Sequence, residues 1–113
     1  MKSYSLWISK KKQAKIYQKK LVYNKNNKTV LVKTIYSGIS KGTEKLVSSK
    51  SVSKDQFQWM KAPFQEGSFN WPIKYGYINV GNIIDGPRKY IKKKLFSLYP
   101  HQNLYEISIQ NLF

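Results

Sequence analysis

Apolar and polar positions alternate with a period of two along much of this chain, which is the pattern of half-buried strands. Tyr4, Leu6 and Ile8 alternate with serines and Trp7, predicting a first strand over Tyr4–Ser9. A lysine turn follows, and a second strand is expected from Ala14 to Leu21. After the polar connection Asn24–Asn27, the run Thr29–Tyr36 is dense in β-branched residues and predicts the strongest strand. Ser37–Gly42 breaks that strand, and Thr43–Val47 reads as one helical turn. Ser53-Lys54-Asp55-Gln56 has the spacing of a capping box, with Phe57 and Met60 on one face behind it, predicting a short helix.

Beyond Ala62 the pattern is irregular as far as Pro72, and Trp71, preceding a proline, is expected to be extended. Lys74–Ile84 reads as one strand in which Gly76 and Gly81 mark a bulge or a close backbone approach. Asp85-Gly86-Pro87 is a turn, Leu95–Tyr99 a strand and Pro100-His101 a break. In the last strand Tyr105, Ile107 and Ile109 face one way, Glu106 and Ser108 the other. No internal repeat is visible. Short strands, spaced turns and one or two short helices predict a mainly β, small barrel-like domain spanning residues 1–113.

Composition narrows the chemistry. With no cysteine and one histidine, His101, the chain cannot build a disulfide framework, a thiol nucleophile, a cysteine-ligated cluster or a multi-histidine metal site. No apolar run exceeds three residues, so neither a membrane span nor a signal-peptide core is expected, and a cytoplasmic location is. Lysine supplies 20 of the 21 basic residues, and the net charge is +16. Residues 1–43 hold eleven lysines and no acid, with clusters at Lys10–Lys12 and Lys19-Lys20, and a third follows at Lys92–Lys94. Non-specific polyanion binding and a compositional bias toward lysine both account for this charge. The scarcity of arginine argues against reading a base sequence.

Three stretches resemble the medium-chain, zinc-type alcohol dehydrogenase superfamily. They are Val32–Glu44 with its Ser-Gly-Ile-Ser-Lys-Gly-Thr-Glu core, Met60–Gly67 continuing into Lys74–Gly81, and Leu95–Gln102. The branch they resemble includes the bacteriochlorophyllide dehydrogenase-like and zinc-binding dehydrogenase-like proteins, and the likeness covers about residues 28–109. It implies a GroES-like N-terminal domain, a partly open β-barrel carrying the substrate side of a nicotinamide-dependent oxidoreductase.

The resemblance also implies site residues. Thr43 matches the hydroxyl that relays a proton from the substrate alcohol, although a helix N-cap is the alternative reading. Ser40 stands where zinc members place a cysteine, and Tyr77 lies within the stretch that carries their metal-binding histidine, so no metal is expected. Tyr77 is left as a hydrogen-bonding group for a substrate oxygen, or as a packed strand tyrosine. Lys41 matches a cationic position near cofactor phosphates. Glu44 reads as a first-turn acid, and His101 as a satisfied turn residue.

No Gly-x-Gly-x-x-Gly unit of a dinucleotide-binding domain occurs in the sequence. The expectation is therefore a truncated or split enzyme that binds no cofactor alone, with NAD(P) entering on a Rossmann-domain subunit. An apolar face over Phe57, Trp59, Phe64, Phe69 and Trp71 would receive that partner or drive self-association. A lysine-rich barrel that binds single-stranded nucleic acid is the alternative from another class.

Overall fold

The computed structural model describes residues 1–112. Its first two strands, β1 (Lys2–Lys10) and β2 (Gln13–Lys20), form an antiparallel hairpin turned at Lys11-Lys12, where Lys12 takes a positive φ of 54°. The strand β3 (Thr29–Ser37) runs into α1 (Lys41–Ser48). A 3₁₀ turn at Lys54–Gln56 leads directly into α2 (Phe57–Met60). There follow β4 (Glu66–Gly67), β5 (Ile73–Lys74), β6 (Asn79–Asp85), β7 (Lys94–Ser97) and β8 (Leu104–Ser108).

The strands make two sheets of four among the described residues, ordered β2-β1-β5-β4 and β7-β6-β3-β8, and every pairing is antiparallel. The architecture is mainly β, and no closed barrel forms among the described residues. No helix in them is long and apolar enough to cross a membrane.

Each sheet has its own core. Val30, Val32, Ile83, Leu95, Tyr105 and Ile107 pack together on the second sheet. Val47, Ala62, Phe69, Ile73 and Tyr75 form the other cluster, which seats α1 against β5. The sheets are joined at residues 101–103. There Leu6 N–H donates to the His101 carbonyl, Asn103 N–H to the Tyr4 carbonyl and Thr34 N–H to the Asn103 carbonyl, at 2.8–3.0 Å. A single short segment thus touches β1 on one side and β3 on the other.

Three expectations need correction. Lys74–Ile84 is not one strand: β5 ends at Lys74, β6 begins at Asn79, and Tyr75–Ile78 form a loop between them. The loop exists because this stretch serves two sheets, one strand to each. Trp71 is not extended; its φ is +66° and its bond to Pro72 is cis. In this turn the Trp71 indole N–H reaches the Val47 carbonyl at 3.2 Å and closes off the C-terminal end of α1. The aromatic stretch is not an open face either. Phe69 is buried, while Phe57, Phe64 and Trp71 pack against the two cores, leaving Trp59 85% exposed. The capping-box spacing at Ser53 does produce a helical start, but without a side-chain cap.

Candidate functional site

The loop before α1 and the loop before β6 are pressed together at Gly38. Its N–H donates to the Ile78 carbonyl at 2.9 Å, and a Cβ on Gly38 would lie 2.9 Å from the Ile78 Cγ2. A larger residue here would force the Ile78 side chain to move. This close approach sets the start of α1 beside Tyr77, and the Tyr77 hydroxyl donates to the Thr43 Oγ1 at 3.0 Å. Thr43 lies inside the helix and does not cap it; Ser40 occupies the N-cap position, without a side-chain cap hydrogen bond.

Thr43 and Tyr77 line one groove with Trp59, Met60, Ala62, Tyr75 and Leu98, enclosing about 520 Å3. The lining is mainly apolar, with the hydroxyls of Thr43, Tyr75 and Tyr77 and the charged Lys61 among it, the usual make-up of a small-molecule site. The Tyr75 hydroxyl is committed to the Met60 carbonyl at 2.6 Å. Burial, reinforced by Tyr77 and Glu44 nearby, pushes its pKa up to about 12, so it remains a neutral donor. Trp59 stands at the rim as an exposed aromatic wall.

Behind this groove lies a polar cluster that sequence reasoning did not assemble. The His101 Nδ1 is 2.6 Å from the Ser37 Oγ, and its Nε2 is 2.5 Å from the Glu44 Oε1. The His101 and Glu44 side chains are 9% and 15% exposed. An ionised carboxylate only accepts, so Nε2 donates to Glu44, and in the neutral ring Nδ1 accepts from the Ser37 hydroxyl. The second carboxylate oxygen, Oε2, takes the Ser40 N–H at 2.5 Å. Glu44 therefore ties the first turn of α1 to the joint between the sheets. A Cβ on Gly76 would lie 3.0 Å from the His101 Nε2 and would crowd this ring. The expectation of a satisfied histidine agrees with this geometry, but its partners lie 57 and 64 residues away, beyond any local motif.

Of the four residues the resemblance implied, the structure brings Thr43 and Tyr77 into contact. Ser40 stands at the N-cap position of α1 without a side-chain cap, and Lys41 is exposed on a separate shallow groove with Ile39, Glu44 and Lys45. No group of three or more metal-ligating side chains occurs among the described residues.

A second feature missed by the sequence is Lys74, 2% exposed. Its ammonium donates to the Gln102 Oε1 at 2.6 Å, pairs with Glu66 and lies 5.2 Å from the centre of the Tyr99 ring. Burial lowers its pKa, and Glu66 opposes that shift. It is a structural cation holding β5 to the 101–103 joint.

A scan against protein-family models finds no match for this sequence, and a search of the curated proteins finds none.

Proposed function

We propose that this domain is the substrate side of a zinc-free, medium-chain alcohol dehydrogenase-like oxidoreductase, with a GroES-like, partly open barrel fold. The observation that supports this reading most is the hydrogen bond between Thr43 and Tyr77 at the wall of an apolar groove. These two residues are 34 positions apart in the chain, and the resemblance implies both as site residues. Two β-sheets with short helices packed beside them accord with the same reading.

In this reading a substrate alcohol or ketone enters beside Trp59 and places its oxygen at the hydroxyl pair. Tyr77 gives up its bond to Thr43 and donates to the substrate oxygen, while the Thr43 oxygen accepts the alcohol proton and releases its own hydroxyl proton to water in the open groove. Serine and tyrosine oxygens at Ser40 and Tyr77 are poor zinc ligands, so the polarising role falls to hydrogen bonding. Glu44 and His101 hold α1, and hence Thr43, in register with Tyr77. A nicotinamide, NAD(P), would supply the hydride; these residues contain no Gly-x-Gly-x-x-Gly unit to hold one, so its binding is assigned to a Rossmann-type partner domain.

Amide chemical-shift mapping with acetophenone and 1-phenylethanol tests the reading. Shifts clustered at Thr43, Met60, Ala62 and Tyr77, weakened in Tyr77→Phe, are expected. Shifts confined to other surfaces, or unchanged in Tyr77→Phe, would contradict it.

A further inference from the structure

The hairpin of β1 and β2 carries a feature that the oxidoreductase reading does not use. All eight residues of β2 are exposed, and β2 is the edge of its sheet. In the pairing register Lys15 lies opposite Trp7, Tyr17 opposite Ser5, and Lys19 opposite Ser3. Residues directly opposite share a face, and so do residues two apart along a strand. One face therefore reads, from the tip inward, Lys15 with Trp7, then Tyr17, then Lys19. The Trp7 and Tyr17 rings are in contact, with centres 5.4 Å apart, and the Trp7 indole N–H is anchored on the Ser5 Oγ at 2.9 Å. Beyond them, at the tip, come Lys10, Lys11 and Lys12.

The charge on this ribbon has no internal counterpart. Residues 2–20 contain seven lysines and no acid. The ion pairs among the described residues are Lys25–Asp85, Lys74–Glu66 and His101–Glu44, none of them on the hairpin. The tip is also held in place, because Lys12 N–H donates to the Ser48 carbonyl at 2.7 Å. One lysine on an edge strand suffices to discourage sheet-to-sheet pairing. Here lysines bracket an aromatic pair on a fixed ribbon, which is the combination that holds a phosphate backbone while its bases stack.

We infer that the β1–β2 hairpin is a binding ribbon for single-stranded nucleic acid, with Lys15, Lys19 and the Lys10–Lys12 tip on the phosphates and Tyr17 with Trp7 on the bases. Lysine contacts phosphate as a point charge and does not read base edges as arginine does, so the binding is indifferent to sequence.

The test is a fluorescence titration of the full chain with labelled dT15 and U15, across a salt series, beside heparin and phosphatidylserine vesicles. With three to five phosphates contacted, log K should fall against log salt with a slope of about −2 to −3.5. K15E/K19E should weaken dT15 about tenfold and reduce the slope by about 1.4. K93E/K94E, an equal charge change at exposed positions on or beside the other sheet, should weaken it less than about threefold, the long-range share of charge. Tyr17→Ala should cost about fivefold or more on dT15, the loss of a stacked base, and leave heparin unchanged. Circular dichroism confirms that each variant is folded. Equal losses in the two charge-swap variants, or a Tyr17→Ala variant that binds dT15 normally, would overturn the inference in favour of diffuse charge. So would vesicle binding stronger than dT15 binding, or no binding at low salt.

Discussion

Strands β2 and β3 are nearly equal in length and both were legible as strands, yet they occupy opposite extremes of the molecule. β3 is flanked by β6 and β8, and Val30, Leu31 and Val32 are all buried. β2 has one neighbour, and none of its residues is even half-buried in the sense that β3 is. The difference lies in composition more than in period. β3 supplies consecutive β-branched and aliphatic residues that bury both faces of a central strand, whereas β2 alternates lysine and glutamine with isolated apolar side chains. The first sheet thus carries an exposed edge strand beside the core that seats α1, whereas the core of the second sheet includes β3 itself.

The largest effect expected from this contrast is at Tyr105. It is fully buried, stacks on Tyr99 with ring centres 3.9 Å apart, and its hydroxyl meets both Ser97 and Asn79. Tyr105→Ala should cost about 3–5 kcal/mol in urea unfolding, as large aromatic deletions from cores do. Ile16→Ala, 62% exposed on β2, should stay within about 0.5 kcal/mol. Comparable losses at the two positions would contradict the contrast between β2 and the core of the second sheet.

A smaller loss, about 2 kcal/mol, is expected for His101→Ala, which strands a largely buried Glu44 carboxylate and the Ser37 hydroxyl. Because His101 sits at the joint, this variant should also shift the amide signals of Thr43 and Tyr77, whereas Ile16→Ala should leave them in place.

Alkaline pH sharpens the picture further. Burial raises Tyr99 and Tyr75 to about 12 and raises Tyr105 in the same direction. A tyrosine whose folded pKa is raised contributes stability fully present below its ordinary value near 10 and lost as pH climbs toward the folded value. The Lys74 pKa is lowered, so its burial penalty is relieved as pH rises toward its ordinary 10.5. Urea midpoints should therefore hold or rise slightly up to about pH 10 and then fall between about 10 and 12. Tyr99→Phe should flatten the fall. An unchanged slope in that variant would assign the alkaline loss elsewhere.

The smallest expected effect is that of zinc. Added zinc should leave the unfolding midpoint unchanged, since the donor set at Ser40 and Tyr77 offers only hydroxyl oxygens. A dialysis-resistant zinc ion at one per chain would contradict this.

Local pattern revealed most strands and both helices because each depends on a few neighbouring residues. The predicted Thr29–Tyr36 became Thr29–Ser37, and the single turn Thr43–Val47 extended to Lys41–Ser48. Failures occurred where one stretch answers to distant partners. The split at Tyr75–Ile78 follows from serving two sheets, and the turn at Trp71 from reaching Val47, 24 residues away. The sequence singled out Thr43, Tyr77, Ser40 and Lys41, but not the contact between the first two or what supports it. Glu44, His101 and Ser37 meet only through tertiary folding, and a lone histidine after a proline carries no local mark of it. Lys74 was equally hidden, as one lysine among twenty.

In the proposed function Thr43 and Tyr77 act together on one substrate oxygen. A double-mutant cycle measured by calorimetric titration with 1-phenylethanol tests it most directly, using Thr43→Val, Tyr77→Phe and the double variant. If the two hydroxyls share one oxygen, each single variant should weaken binding about fivefold, the range of one hydrogen bond, and the double variant scarcely more. Losses that multiply independently, or binding untouched by either change, would contradict the account.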